Sequence, residues 1–161
     1  MPVDAILKIL KRDSTTPPSE IAKLLGLDES EVVEHVRKLE RDGVIIAYQA
    51  VVDSQKRDAG IVTAVIEVRI TPERDGGFDR VASRIARFDQ VLSCYLMSGG
   101  YDLLVVVEGE SLQDVSSFIA ERLSTIGGVI STATHFRLKT YKENGALLES
   151  EPETSRLPVS P

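Results

Sequence analysis

The sequence predicts an α+β fold with two domains, an N-terminal winged helix-turn-helix followed by a ferredoxin-like βαββαβ domain. In the first third of the chain, apolar residues repeat at helical spacing, and glycines stand where helices would end. The remainder alternates between strand and helix patterns in the order βαββαβ. We therefore expect domains at 1–52 and 61–142, a linker at 53–60 and a C-terminal tail at 143–161.

The first two predicted helices of the N-terminal domain are short. Apolar residues at helical spacing in VDAILKILKRD predict the first of them. Thr16, which is followed by proline, is the expected N-cap of the second. This second helix should bury Ile21, Leu24 and Leu25, and it should end at Gly26, where a left-handed backbone favours glycine.

The third helix is longer and follows a tight turn. Asp28, with Glu31 three residues later, forms an Asp version of the capping box, and Gly43 marks the end of the helix. Its buried stripe is formed by Val32, Val36 and Leu39. A short helix, a tight turn and a longer helix make a helix-turn-helix, whose second helix can enter a major groove. The following GVIIAYQAVVD predicts a small hairpin or wing.

The polar face of the third helix is the candidate DNA-binding surface. The side chains predicted to point away from its apolar stripe are Ser30, Glu34, His35, Lys38 and Arg41. They carry both signs of charge, and the glutamate would repel phosphate. The alternative is a three-helix packing unit with no DNA contact, and periodicity alone does not separate the two interpretations.

The second domain begins with IVTAVIEVRI, in which every second residue is apolar. The residues expected on its buried face are Val62, Ala64, Ile66, Val68 and Ile70. A helix is predicted in GFDRVASRIARF, two hairpin strands in VLSCYLM and LLVVVEG, a helix capped by Ser111, and a last strand in VISTATHFRLKTYK. Because several strands are apolar on both faces, we expect a second copy of the chain to cover the open face of the sheet.

Composition excludes several kinds of site. The net charge is −6, and none of the three segments 1–60, 61–141 and 142–161 has more Lys and Arg than Asp and Glu. Cys94 is the only cysteine, so it is expected to be a small core residue rather than part of a disulfide or thiolate cluster. The only histidines, His35 and His135, lack ligand spacing, so no metal or cofactor is expected. No membrane span or signal segment is recognisable, which predicts a cytoplasmic protein.

With these motifs in order, the sequence resembles the Lrp/AsnC family of transcription regulators over nearly its whole length. The resemblance rests on LLGLDESEVVEHVRKLERDGVIIAYQAVVD in the first domain and on GGYDLLVVVEG and GGVISTATHFRLKTYK in the second. It implies a regulator, not an enzyme, that binds double-stranded DNA through the winged helix-turn-helix. It also implies a small effector, commonly an amino acid, bound by the second domain, and a homodimer formed through the sheets, often assembled further into an octamer.

The resemblance also assigns candidate effector-binding residues near the pocket between subunits. They are Gly99, Gly100, Tyr101 and Asp102 in the hairpin, with Thr132 and Thr134 on the last strand. Glycines leave backbone groups open to a ligand, Asp102 can hold a ligand ammonium group, and Tyr101 can pack against the rest of the molecule. The alternative is that Asp102 and the threonines only close the hairpin and tie the strands together.

Some features depart from the family pattern and leave other functions open. Many relatives have Ser at the position of Asp28 and Arg at the positions of Glu34 and His35, so a ligand-sensing or interaction module with weak or no DNA binding is an alternative. Haem-precursor decarboxylases share the two-domain plan, but their aromatic and histidine-rich region is not found around His135. The tail is rich in Pro, Ser and Glu, a composition that suggests disorder, although several apolar residues interrupt it.

Overall fold

The computed structural model forms two compact units. It describes residues 2–54, 56, 60–71 and 77–148. The first unit contains residues 2–52 together with 142–148, and the second contains the described residues between 53 and 141. Four residues of the expected linker at 53–60, including both of its ends, are described, and the other four lie outside the described part of the chain.

Three helices form the core of the first unit. They are α1 (Pro2–Arg12), α2 (Pro18–Leu25) and α3 (Glu29–Arg41). Their core consists of four buried residues, Ile6, Ile21, Ala22 and Val32, with Leu10 and Val36 packed against it. The apolar periodicity therefore predicted the helix-turn-helix correctly, because burying one stripe of each helix is what holds three short helices together.

The ends of α2 differ from the prediction in part. The N-cap is Pro17, not Thr16, whose hydroxyl donates instead to the Asp13 carbonyl oxygen at 2.9 Å. Leu24, which was expected to be buried, is 64% exposed, because Ile21 and Ala22 occupy the inward face of this two-turn helix. Gly26 has a φ of 66° and ends the helix in the left-handed conformation, as predicted.

The start of α3 is capped as predicted. The Asp28 backbone N–H donates to Glu31 Oε2 at 3.1 Å, and the reciprocal half of the capping box is also present. The helix ends at Arg41, with Gly43 following at a φ of 69°. The capping box fixes where α3 begins, and Gly43 forms the turn that follows its end.

The predicted wing hairpin is not formed within the described chain. Residues 44–53 pair with no strand, and Ile46 is 91% exposed. The segment is anchored to α3, since the backbone N–H of Ile45 donates to the Leu39 carbonyl and the Tyr48 hydroxyl donates to Glu40 Oε1 at 2.9 Å. Loss of solvent, and then the Glu40 carboxylate, raises the pKa of Tyr48. The hairpin form of the prediction is therefore not observed in residues 44–53.

The second unit is built on a four-stranded antiparallel sheet. Its strands are β1 (Val62–Ile70), β2 (Val91–Leu96), β3 (Leu103–Gly109) and β4 (Val129–Phe136), in the order β2-β3-β1-β4. The helices are α4 (Asp79–Ile85) and α5 (Leu112–Phe118), the latter continuing as a π-helix over Ile119–Leu123. This is the predicted βαββαβ order, with β1 in the interior of the sheet.

Both helices cover the same face of the sheet. Ile66 of β1 and Val105 of β3 form one core with Val81 and Ile85 of α4 and with Val115 of α5. Four of the five residues predicted on the buried face of β1 are buried, and Val62 is half-buried at the strand end. As the sequence indicated, the Ser111 hydroxyl caps α5 by accepting from the Asp114 N–H at 3.1 Å.

Cys94 behaves as the small core residue predicted from the sequence. It is half-buried and packs against the core of the second unit. Burial raises the pKa of its thiol, which favours the neutral form.

The last described residues form a hairpin that was not predicted from the sequence. Strands β5 (Lys142–Glu143) and β6 (Ala146–Leu147) pair across Asn144 and Gly145, whose φ angles are 45° and 89°. Asn-Gly with two positive φ angles is the favoured two-residue hairpin turn, so the signal was present in the sequence. The composition of the tail suggested disorder and its apolar residues tempered that view. Residues 143–147 belong to this hairpin, and the tail beyond residue 148 lies outside the described residues.

Substitution of Gly109 tests how closely β3 approaches α5. A Cβ at Gly109 would lie 2.9 Å from Val115 Cγ2 and 3.3 Å from Asp114 Cβ. We expect Gly109→Ala to lower the free energy of unfolding by about 1 to 3 kcal/mol, since the helix must move outward. Gly127→Ala is the control, because its Cβ would meet nothing within 4 Å. Urea denaturation should separate them, and equal midpoints would contradict this account of the packing.

Candidate functional site

The outward face of α3 lies opposite its buried stripe. Val32 and Leu39 are buried, and one residue advances about 100° around a helix. The exposed residues that this geometry places on the opposite side are Ser30, Glu34, Arg37, Lys38 and Arg41. Four of these five were predicted from the sequence as DNA-binding candidates.

The structure changes the candidate set at two positions. His35 is half-buried and lies at the flank of the apolar stripe rather than on the outward face. Arg37 is exposed on that face and was missed. The sequence spacing could have indicated Arg37, because this residue follows Ser30 by seven positions and precedes Arg41 by four, the spacing of one helical face.

A shallow groove runs along this face. It has a volume of about 700 Å³ and is lined by Glu29, Ser30, Val33, Glu34, Arg37 and Arg41. Among the described residues, no ion pair joins the charged side chains of the groove. Three cations, Arg37, Lys38 and Arg41, face outward beside two exposed carboxylates, Glu29 and Glu34. The outward face is thus locally positive although the chain as a whole is acidic.

The hairpin between β2 and β3 is fastened to β1 through Asp102. The Asp102 backbone N–H donates to the Val68 carbonyl at 3.0 Å, and its carbonyl accepts from the Met97 N–H at 2.8 Å. Its carboxylate Oδ2 accepts from the Ile70 backbone N–H at 2.8 Å. One carboxylate oxygen therefore has a structural partner, as the alternative interpretation of Asp102 required.

The hydrogen bonds of Asp102 lie next to an irregularity in the sheet. Arg69 pairs with Ser131 and Ile70 with Val129, so the register between β1 and β4 shifts here and the extra residue, Ile130, lies on β4. Arg69 Nε donates to the Gly100 carbonyl at 2.9 Å. Two side-chain hydrogen bonds, from Arg69 to the Gly100 carbonyl and from the Ile70 N–H to Asp102, thus hold the glycine turn in place.

The two glycines of the turn differ in whether their backbone conformation requires glycine. Gly99 has a φ of 139°, which favours glycine whatever surrounds it. Gly100 has no such φ, and an added Cβ would meet nothing within 4 Å. Nothing within the described chain therefore requires glycine at Gly100, and the space beside it is open.

The other predicted effector residues lie near this end of the sheet. Thr132 pairs with Val68, to which the Asp102 N–H is bonded, and Thr134 pairs with Ile66. Both threonines are half-buried on the edge strand β4, on the same face as the core residues of β1. Tyr101 is half-buried, whereas the turn glycines are exposed, so one chain provides an open ledge rather than an enclosed pocket.

Family models match both units. The Lrp/AsnC ligand binding domain matches residues 63–147, and a winged helix-turn-helix DNA-binding domain matches residues 5–46. The chain belongs to the Lrp/AsnC family. It is therefore a DNA-binding transcription regulator with a ligand-binding domain, and the resemblance and fold class expected from the sequence are confirmed.

Individual relatives of this Lrp/AsnC regulator span most of the chain. It is 48% identical over 157 residues to the uncharacterized HTH-type regulator YugG of Bacillus subtilis, covering 97% of this chain and 95% of that protein. It is 33% identical to the regulator FL11 of Pyrococcus horikoshii, covering 88% and 91% of the two chains. A Neisseria meningitidis regulator solved in complex with L-Met matches with a TM-score of 0.71 at 24% identity, covering 92% and 94%.

Two further properties concern the described part of this Lrp/AsnC chain. None of its helices there combines the length and apolar character needed to cross a membrane. No group of three or more His, Cys, Asp or Glu side chains in the same residues is placed to hold a metal ion.

Substitution of Asp102 tests its role in the hairpin. We expect Asp102→Ala to lower the free energy of unfolding by about 1 to 3 kcal/mol, because the Ile70 N–H loses its partner where Ile70 is only 3% exposed. Asp102→Asn keeps an oxygen acceptor and should recover most of this loss. Asp89→Ala is the control, since Asp89 is exposed. Chemical denaturation of the three variants provides the measurement, and an Asp102→Ala variant as stable as the control would contradict the fastening.

Proposed function

We propose that this regulator is a cytoplasmic homodimer, the unit from which an octamer can be built, whose α3 helices bind double-stranded operator DNA. An amino acid bound at the hairpin ledge between subunits would change its DNA affinity. The observation that carries the proposal is the locally positive outward face of α3 in an acidic chain. A two-fold dimer presents two such helices, which matches a two-fold operator.

The DNA-binding part of the proposal assigns Arg37, Lys38 and Arg41 to the phosphate backbone. All three are exposed on the outward face of α3, and they extend from its middle to its last turn. Ser30 and Glu34 lie nearer the N-terminus of the helix, the part that contacts base edges when a recognition helix enters the major groove. His35 is left out because it is half-buried at the flank.

The dimer part of the proposal uses the open face of the sheet. Val65, Leu104 and Val106 alternate with the buried core residues of their strands, so they lie on the face away from the helices. Leu104 pairs with Tyr95, which is 53% exposed. A band of apolar side chains on one face of a sheet supports cover by a second copy.

The effector part of the proposal rests on the hairpin ledge. Its backbone is held by β1, and the space beside Gly100 is open. The L-Met complex of the Neisseria relative supports an amino acid as the class of effector. Gly99, Gly100, Tyr101 and Asp102 would provide backbone groups, a ring and a carboxylate. Thr132 and Thr134 would contribute from β4, on the face that they share with the core residues of β1. A second copy packed beside the turn would close this ledge into a pocket.

A second candidate function is a ligand-sensing module with weak or no DNA binding. The net charge of −6 favours it, because a phosphate backbone repels an acidic protein. Binding to DNA from upstream of the protein's own gene, measured at low salt with and without a panel of amino acids, separates the two. The proposed regulator binds this DNA with an affinity that one amino acid changes, whereas the sensing module binds amino acid but not DNA.

Charge reversal on α3 tests the DNA contact. We expect Lys38→Glu and Arg41→Glu each to weaken binding to all duplex sequences and to reduce the salt slope by about 1, as loss of a phosphate contact does. Arg87→Glu is the matched control, because it makes the same charge change at an exposed position of the second unit. Gel-shift titrations over a salt series provide the measurement. Equal effects of all three variants would remove α3 from the interface.

A charge placed on the open face of the sheet tests the dimer. We expect Val106→Asp to convert the dimer to a monomer at micromolar concentration, because the carboxylate would be buried without a partner. Leu138→Asp is the control, since Leu138 is 95% exposed. Light scattering gives the mass of each variant. A monomeric parent protein, or a dimeric Val106→Asp variant, would show that this face does not form the interface.

The two roles of Asp102 can be separated by one variant. If its carboxylate holds the ammonium of the effector, Asp102→Asn should lower effector affinity by roughly 1.5 to 3 kcal/mol while the melting temperature changes little. Titration calorimetry beside a melting curve distinguishes the cases. Unchanged affinity would assign Asp102 to the hairpin alone.

A further inference from the structure

The carboxylate of Glu34 stands at the centre of the outward face of α3. Glu34 is exposed, and among the described residues its side chain has no hydrogen bond or ion pair. Ser30 precedes it by one turn, and Arg37 and Lys38 follow it by one turn. A salt bridge with Arg37, which would have given Glu34 an ordinary surface role, is not made. Its position on a DNA-binding helix therefore needs another explanation.

Duplex DNA offers a carboxylate few favourable partners. Phosphate oxygens repel it, and so do the acceptors that guanine presents in the major groove. Adenine has an amino donor there but places the N7 acceptor beside it, which suits an amide better than a carboxylate. Cytosine presents its N4 amino group as a donor in that groove, and Glu and Asp are the side chains that accept from it.

The geometry of α3 places Glu34 where such a contact is made. The helix runs from Glu29 to Arg41, so Glu34 lies in its N-terminal half, the part of a recognition helix that contacts base edges. Arg37 and Arg41 line the same groove further along the helix and can neutralise the backbone phosphates on either side. With Arg37 and Arg41 bound to the DNA phosphates, the Glu34 carboxylate lies toward the base edges.

We propose that Glu34 is a specificity-determining residue that accepts a hydrogen bond from a cytosine amino group in each half-site. The same charge repels duplexes that lack cytosine at this position, so Glu34 lowers non-specific affinity while it raises specificity. This inference rests on the proposed insertion of α3 into the major groove.

Selection from a randomised duplex library tests this inference. With the full-length protein, we expect the selected sites to contain one C·G pair at a symmetric position in both half-sites. Replacing that pair should weaken binding roughly 5- to 150-fold, the discrimination of one good side-chain to base contact. Glu34→Gln should lose the preference for cytosine and select adenine instead, because an amide matches the N6 and N7 edge of adenine.

Two further variants separate the base contact from a general charge effect. Glu34→Ala should select neither base at this position and should bind random duplex about threefold more tightly at low salt, since one repulsive charge near the phosphates is removed. Glu121→Gln makes the same charge change as Glu34→Gln at an exposed position of the second unit. Glu121→Gln should therefore select the same sites as the parent protein.

The outcomes distinguish this inference from the proposed function. If the parent protein selects a defined site and Glu34→Gln selects the same site, the inference is overturned and the regulator remains a sequence-specific DNA-binding protein. If Glu121→Gln shifts the selection as much as Glu34→Gln does, charge rather than a base contact is responsible, and the inference is again overturned. If the parent protein selects no site and α3 variants bind unchanged, both the proposed contact of α3 and the inference fail.

Discussion

The second unit depends on β1, an inner strand of the sheet that carries apolar residues at the centre of the core. It pairs with β3 and with β4, and Ile66 and Val68 are fully buried on its inner face. Other parts of the unit are attached to the same strand by side chains. The carboxylate of Asp102 reaches the Ile70 N–H at one end, and Arg137 Nη2 donates to Thr63 Oγ1 at 2.9 Å near the other.

This arrangement explains why the glycine turn can be both open and ordered. A turn built from Gly99 and Gly100 has high conformational freedom, and ordering such a turn would add an entropy cost to ligand binding. Two hydrogen bonds remove much of that freedom, because Arg69 holds the Gly100 carbonyl and Asp102 holds the Ile70 N–H. The ledge is therefore organised before any ligand arrives. On its outer face, β1 also places Glu67 3.3 Å from His135, a polar pair beside the apolar band.

The first unit must bind DNA, a polyanion, although the chain as a whole is acidic. The buried stripe of α3 and its capping box determine which residues face outward, so Arg37, Lys38 and Arg41 are gathered on one side. The acids Glu29 and Glu31 lie in the first turn, where they stabilise the helix through its dipole. Glu40 is held by Tyr48. Cations are thus gathered on one face of an acidic chain, with the exposed carboxylate of Glu34 among them.

The sequence by itself determined the order of elements, most of their boundaries and the two-domain plan, because apolar periodicity and caps such as Asp28, Gly26 and Ser111 act over a few residues. It did not determine which exposed positions share a face: His35 was included and Arg37 omitted. Nor did it show that Asp102 binds the N–H of Ile70, since that contact joins residues far apart in the chain and forms only when the hairpin packs beside β1. The unpaired segment 44–53 and the exposure of Leu24 were likewise decided by which neighbours the folded chain provides. Local signals are readable from the sequence, whereas long-range hydrogen bonds and shared faces arise only when the strands and helices pack.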